Sequence, residues 1–340
     1  MQMSLSMARL EAETPEPGDV PVEKSAAIVG KSPTQIALGR LRKDKTAVVC
    51  IAVLVVVIAL AVLAPVITSI LDIHERREPG SLNAAEWTDQ FGYPVTGPPY
   101  YGFDPNHPLG ISPKEANDNL ARLLYGVRNS LFIGAVVAFS ALLIGTTIGL
   151  AAGFSRGWLD RILSFVIDLF LAFPFFFFAM ALSPIIGNAF SQNDVGLAVA
   201  SFIGLIIFLI IFSWMSLARL VRGQVISLRE REFILAAEVI GVPMRRVLFK
   251  ELLPNLVAPL VVWFSVAVPT AVALEVALTL LGLGVSGTPT LGLLVQEARG
   301  YWDTYPLYLW TPVGAVVVIT LALNLLGDSV RDAFDPKTRR

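Results

Sequence analysis

Six long apolar runs, separated by polar or charged segments, organise this chain. They lie at roughly 47–70, 127–153, 161–186, 195–217, 256–284 and 307–327, and a helix needs about 20 residues to cross a hydrocarbon core. The pattern therefore predicts six transmembrane helices. Pro174 and Pro184 fall in the third, where neighbouring helices of a bundle can absorb the breaks. Between the fourth and fifth runs the period changes. Phe233, Ala237, Ile240 and Met244 recur at i, i+4, i+7 and i+11, which lays one apolar stripe along a helix. Arg231, Glu238 and Arg245 fall off that stripe. Gly241 suits a helix C-terminus and Pro243 the first turn of a new helix. The segment thus predicts two short helices, bent at 241–243 and closed by Pro254.

The polar segments divide the rest. Residues 1–32, with Thr14-Pro15-Glu16-Pro17-Gly18, predict a disordered cytoplasmic tail. Residues 33–71 combine an amphipathic stretch with the first transmembrane helix, a retained anchor rather than a signal peptide. Residues 72–123, rich in Pro, Gly, Asn and aromatic side chains, form an extracytoplasmic segment. The core is 124–328, including a cytoplasmic loop at 218–255, and 329–340 is a cytoplasmic tail.

Basic residues set that orientation. Arg40, Arg42, Lys43 and Lys45 precede the first helix, and Arg156 and Arg161 follow the second. The 218–255 loop carries Arg219, Arg222, Arg229, Arg231, Arg245, Arg246 and Lys250, whereas the turn near 188–194 has no Lys or Arg. The positive-inside rule places both termini in the cytoplasm. Six helices require both ends on one side, and the two inferences agree.

Composition narrows the class. Of 340 residues 55% are hydrophobic and 16% charged, against about 25% charged in soluble domains, as a polytopic membrane protein requires. The net charge of -1 gives no reason for nucleic-acid binding. A single cysteine, Cys50, excludes an intramolecular disulfide and a cysteine-based metal site. His74-Glu75-Arg76-Arg77-Glu78 lacks the second histidine of a zinc-protease helix, and neither a Gly-x-Ser-x-Gly elbow nor a phosphate-binding glycine loop is present. The reading is of a chain without catalytic residues, metal site or cofactor of its own.

Three ionisable residues fall in or near the apolar runs: Asp168, Glu275 and Asp328. A charge at a bilayer centre costs at least ~2.5–3.5 kcal/mol, so such groups face a bundle interior or a water-filled cavity. Two readings stay open: a pathway role, or a helix-end or subunit-interface role. Asp168 and Asp328, near predicted cytoplasmic ends, favour the second. The phenylalanines Phe173 and Phe175 to Phe178 point all round a helix and favour packing over ligand stacking. Gly134, Gly145, Gly149, Ala152 and Gly153 suit close helix contacts.

With the motifs in place, the chain resembles the inner-membrane permease subunits of ABC importers, in particular the dipeptide, oligopeptide and nickel group. The family pattern is Glu-Ala-Ala, three residues, Gly, nine residues, Ile-x-Leu-Pro. Leu235-Ala236-Ala237, Gly241 and Leu253-Pro254 match it in spacing, with Leu235 in place of the Glu and Glu251 in place of the Ile. His107-Pro108-Leu109-Gly110, Arg122 to Leu131, Gly157-Trp158-Leu159-Asp160-Arg161, Leu280 to Val285 and Leu326-Gly327-Asp328 extend the resemblance over most of 34–340.

The resemblance implies an all-α, six-helix membrane fold of the type I importer permeases, in a bacterial or archaeal inner membrane. It also implies partners: a second homologous permease, two cytoplasmic ATPase subunits that bind ATP and magnesium, an extracytoplasmic binding protein, and lipid. Phe233, Leu235, Ala236, Ala237, Ile240, Gly241, Arg245, Arg246 and Pro254 would couple the permease to the ATPases, and Glu275 could meet a peptide's amino group. The competing reading of the 231–254 segment is a helix lying on the lipid surface. Competing functions are uptake of nickel or another small solute, a non-transporting membrane scaffold, and an integral-membrane enzyme.

Overall fold

The computed structural model describes residues 33–73, 88–95, 97, 103–181 and 194–335. The predicted N-terminal tail, Pro184, Trp87, Tyr100, Tyr101, most of the 188–194 turn and residues 336–340 lie outside the described residues. Within them the regular structure is helical, apart from isolated bridges at Thr88–Pro94 and Ile111–Asp118.

Helix α1 (Pro33–Leu41) is joined to α2 (Lys45–Val62) through Asp44, whose carboxylate accepts the Thr46 N–H at 2.9 Å and caps α2. The first predicted span does not run unbroken to 70. It stops at Leu63, and α3 (Ala64–Leu71) restarts with Pro65 in its first turn. Proline lacks the N–H that would continue the ladder, so the apolar run bends there. Arg40 of α1 donates to the Ala333 and Asp335 carbonyls at 3.4 and 3.2 Å, tying the chain's two cytoplasm-predicted ends together.

Helices α4 (Asn119–Phe154) and α7 (Asp194–Arg229) form the most extensively packed pair. At 36 residues each they span about 54 Å, well beyond the predicted 127–153 and 195–217. The added turns are polar or amphipathic, so hydropathy alone stops short of them. Asp118 starts α4 by accepting the Ala121 N–H at 2.8 Å, and its other oxygen meets His107 Nδ1 at 2.7 Å. Gly145, Gly149 and Gly153 let the two helices touch. A Cβ at each would stand 2.7 Å from the Trp214 carbonyl, the Ala218 carbonyl and Val225 Cβ respectively. This is small-residue packing of the kind that membrane helices use.

The third predicted span is broken. Helix α5 (Trp158–Ala172) and α6 (Phe175–Ala181) meet at 76°, because Pro174 pushes Phe173 out of helical backbone into an extended one. Phe175 and Phe178 then pack on α7, with ring centroids 5.6 and 5.3 Å from Phe212. Phe177 is 74% exposed. The phenylalanine run is packing on one side and outward-facing surface on the other.

After α8 (Glu232–Val239), one helix runs unbroken from Met244 to Leu280. This α9 contains an α turn at Met244–Arg246, a π-helical stretch at Val247–Leu252 and regular α-helix from Leu253. Pro254 therefore does not close a short helix, as the sequence suggested. It occupies the first turn of the regular section, where its missing N–H is tolerated. The short α10 (Leu291–Ala298) and the final α11 (Pro306–Phe334) complete the bundle. Among the described residues five helices are long and apolar enough to span a membrane, or six if α5 and α6 count as one span.

Candidate coupling surface

The bend after α8 is built by backbone chemistry. Gly241 has φ +79°, and the Val242 N–H donates to the Ala237 carbonyl at 3.0 Å. That bond closes a helix end on a left-handed residue, for which glycine has no Cβ penalty. The turn releases the chain into Pro243, which starts α9.

One residue anchors α8. Ile234 is fully buried and packs with Leu217, Val221 and Val225 of α7 and with Val247, Leu252 and Leu256 of α9. Ala237 and Val242 sit at the edge of the same cluster. The sequence stripe missed Ile234 because it lies one position off the i, i+4, i+7 register. Of the stripe, Ala237 is partly buried and the other three face outward: Phe233 is 43%, Ile240 80% and Met244 59% exposed. Leu235 and Ala236 are exposed too, as are Arg245, Arg246 and Pro254.

The result is an exposed set of apolar side chains with Arg245 and Arg246 exposed beside it. Val239, 87% exposed, is its most protruding apolar residue, and Phe249 of the π-helical stretch is 64% exposed. Neither was singled out from the sequence, and Phe249, five residues after Met244 and in a π-helical stretch, falls off the α-helical period. Isolated exposed apolar side chains need no explanation, but a contiguous set marks a docking or membrane-contact site. Arg229 holds the base of this surface by donating to the Gly153 and Phe154 carbonyls, both at 3.4 Å. A cation at a helix C-terminus also complements the helix dipole of α4.

The three predicted intramembrane acids do not converge. Asp168 is exposed on α5 and pairs with Arg219 of α7. Next to it Arg222 holds Asp160 in two hydrogen bonds of 2.9 and 3.2 Å. Asp328 is exposed on α11. Glu275, in contrast, is fully buried, its carboxyl accepting the Ser130 hydroxyl at 2.9 Å. Among the described residues no group of His, Cys, Asp and Glu has the arrangement of a metal site.

Residues 145–340 match the family described as binding-protein-dependent transport system inner membrane component, a span that includes α8 and its glycine bend. The chain belongs to this family. Residues 32–79 match a second one, the N-terminal transmembrane domain of oligopeptide transport permease C. Among curated relatives, a dipeptide transport system permease protein of Alkalihalophilus pseudofirmus is 32% identical over 96% of both chains. An oligopeptide transport system permease protein of Bacillus subtilis is 30% identical over 89% of this chain and 90% of its own. An oligopeptide transport system permease protein of Mycobacterium tuberculosis is 35% identical over 65% of this chain and 73% of its own. The MetNI methionine ABC transporter, solved in inward-facing conformations, aligns over 63% of this chain and 96% of its own at 20% identity. Its TM-score of 0.49 is too loose to carry an assignment. As a member of the permease family, the protein is a multi-pass membrane component of an importer rather than a catalytic subunit.

Proposed function

We propose that this permease carries di- or oligopeptides, delivered by an extracytoplasmic binding protein, across the inner membrane of a bacterium or archaeon. The reading is supported by the names of relatives that match along nearly their full length, which are those of dipeptide and oligopeptide transport permeases. A second permease completes the pathway, and two cytoplasmic ATPases bind ATP and magnesium. Both termini and the α8 surface face the cytoplasm, where the arginines around α8 are concentrated.

The observation that carries the coupling role is the exposed surface of α8 beside its glycine bend. Phe233, Leu235, Val239 and Ile240 fill an apolar groove on an ATPase in the manner of a helix laid in a cleft. Ile234 transfers the resulting force to α7 and α9, because it is buried between them. Arg245 and Arg246 set orientation through rim charge pairs. Leu235 stands where a carboxylate was expected, so apolar packing replaces an ionic contact at that position.

The test is uptake by the complete complex in proteoliposomes, with labelled peptides and nickel offered separately through the cognate binding protein. Peptide accumulation that requires ATP supports the proposal. Nickel accumulation without peptide accumulation would replace the substrate, and a complex that binds its ATPases but moves neither would make the chain a scaffold.

A further inference from the structure

Glu275 is fully buried near the end of α9 that lies opposite the coupling bend. Ser130 of α4 donates its hydroxyl to Glu275 Oε2 at 2.9 Å and accepts the Leu291 N–H, at the start of α10, at 2.9 Å. The Thr279 hydroxyl reaches Glu275 Oε1 at 3.3 Å and the Glu275 carbonyl at 2.9 Å. Thr290 caps α10 by accepting the Leu293 N–H at 3.2 Å, and the Gly292 backbone lies directly against the carboxyl group. Donors from α4 and α9 thus converge on one side chain, and Ser130 joins it to the start of α10.

The fit around it leaves no slack. A Cβ at Gly292 would stand 2.7 Å from Glu275 Oε1, and one at Gly284 would stand 1.9 Å from Thr279 Oγ1. Helix α10 has eight residues and is about 12 Å long, far too short to cross a bilayer. Its far end is held to α4 as well: Arg122 meets Glu297 at 2.6 and 3.0 Å, and Tyr308 of α11 donates to the same carboxylate at 3.4 Å. Apolar contacts alone would let so short a helix slide. A satisfied buried network specifies one position, because any shift leaves a donor or the carboxyl group without its partner.

Helix α9 connects this clamp to the coupling surface. It runs unbroken over 37 residues from Met244, next to the glycine bend, to Leu280, just past Glu275. We infer that Glu275 is a positioning residue of the transport cycle, locking α10 to α4 and α9 so that the outer ends of these helices move as one body. Docking of a loaded binding protein on the outer face is then passed along α9 to α8 and the ATPases. The inference rests on the importer reading above and adds to it the residue that ties the outer face to the lever.

The experiment compares ATP hydrolysis by the complete reconstituted complex with and without its cargo-loaded binding protein. Glu275→Gln replaces an acceptor oxygen by a donor that faces other donors. It should leave basal hydrolysis unchanged and reduce the stimulation by the binding protein about tenfold, the size of an ordinary coupling between two sites. Ser130→Ala removes only the bridge to α10 and should lower stimulation in the same direction; it makes the comparison if Glu275→Gln does not assemble. Stimulation equal to wild type in a variant that assembles overturns the inference alone. Basal and stimulated rates that fall in parallel also overturn it, since they assign Glu275 to stability. A wild-type complex that the loaded binding protein fails to stimulate overturns the importer reading and this inference with it.

Discussion

The Val242 N–H donates to the Ala237 carbonyl at 3.0 Å, closing α8 over Gly241 in the left-handed region. A Cβ at Gly241 would meet nothing within 4 Å. The constraint at this position is therefore conformational and not steric. A left-handed residue with a Cβ costs about 1–2 kcal/mol, enough to open the helix end without disturbing the bundle. Gly241→Leu is expected to abolish ATP-driven uptake while membrane insertion persists, and Gly241→Asn to retain part of it, since Asn tolerates this conformation. Uptake in proteoliposomes, alongside the yield of inserted protein, checks both. Normal uptake by the Leu variant would remove the bend from the coupling mechanism.

Burial separates the two faces of α8. Ile234→Ala empties a fully buried site and should cost about 2–5 kcal/mol, seen as a lower melting temperature in detergent. Val239→Ala and Ile240→Ala truncate residues that are 87% and 80% exposed. They should leave the melting temperature unchanged and weaken co-purification of the ATPase subunits. If the exposed variants retain full ATPase binding, the surface is not the docking site.

Glycines of α4 and α7 should respond in opposite senses. Gly149→Leu must displace the Ala218 carbonyl and the Val221 side chain, both 2.7 Å from a Cβ at 149. Overpacking of this kind costs about 1–3 kcal/mol or more. A Cβ at Gly223 on α7 would meet nothing within 4 Å, so Gly223→Ala should raise stability by up to about 1 kcal/mol through helix propensity. Thermal unfolding of the two variants gives the comparison, and equal shifts of the same sign would contradict the close approach of α4 and α7.

The α1–α11 contact should be acid-labile. Hydrogen bonding, from Ser329 first and then from Thr46 and Ala47, holds the Asp44 carboxyl below its ordinary value. A carboxyl lowered in the folded state contributes stability above its unfolded value, about 3.9, and loses it as pH falls through the lower folded value. Limited proteolysis around α1 should therefore show protection at neutral pH that weakens only below about pH 4. In Asp44→Asn the acid-dependent part of that change should be absent.

Much of the architecture was legible from local pattern. Five apolar runs correspond to helices long enough to span, and the third broke at Pro174, where proline chemistry said it could. Gly241 was legible because a left-handed helix end has few alternatives to glycine. The outer turns of α4 and α7 were not. Arg122, Arg219, Arg222 and Arg229 interrupt the hydropathy there, yet their charges are met by Glu297, Asp168, Asp160 and the Gly153 and Phe154 carbonyls. Those partners come from elsewhere in the chain, and a windowed sum cannot see them.

Sequence by itself determined the membrane class, the positions of the apolar runs, the concentration of arginine around α8 and the spacing that places Ala236-Ala237, Gly241 and Leu253-Pro254. These depend on composition and on periods within one segment. Only the tertiary structure decided which side of α8 is anchored, because Ile234 is buried by residues of α7 and α9 and the neighbouring Phe233 and Leu235 are not. It also brought Ser130 of α4 and Thr279 of α9 onto the buried Glu275 carboxyl group, with Ser130 in turn holding the start of α10. A carboxyl group in an apolar run says only that a partner must exist; the fold supplies Ser130 from 145 residues away.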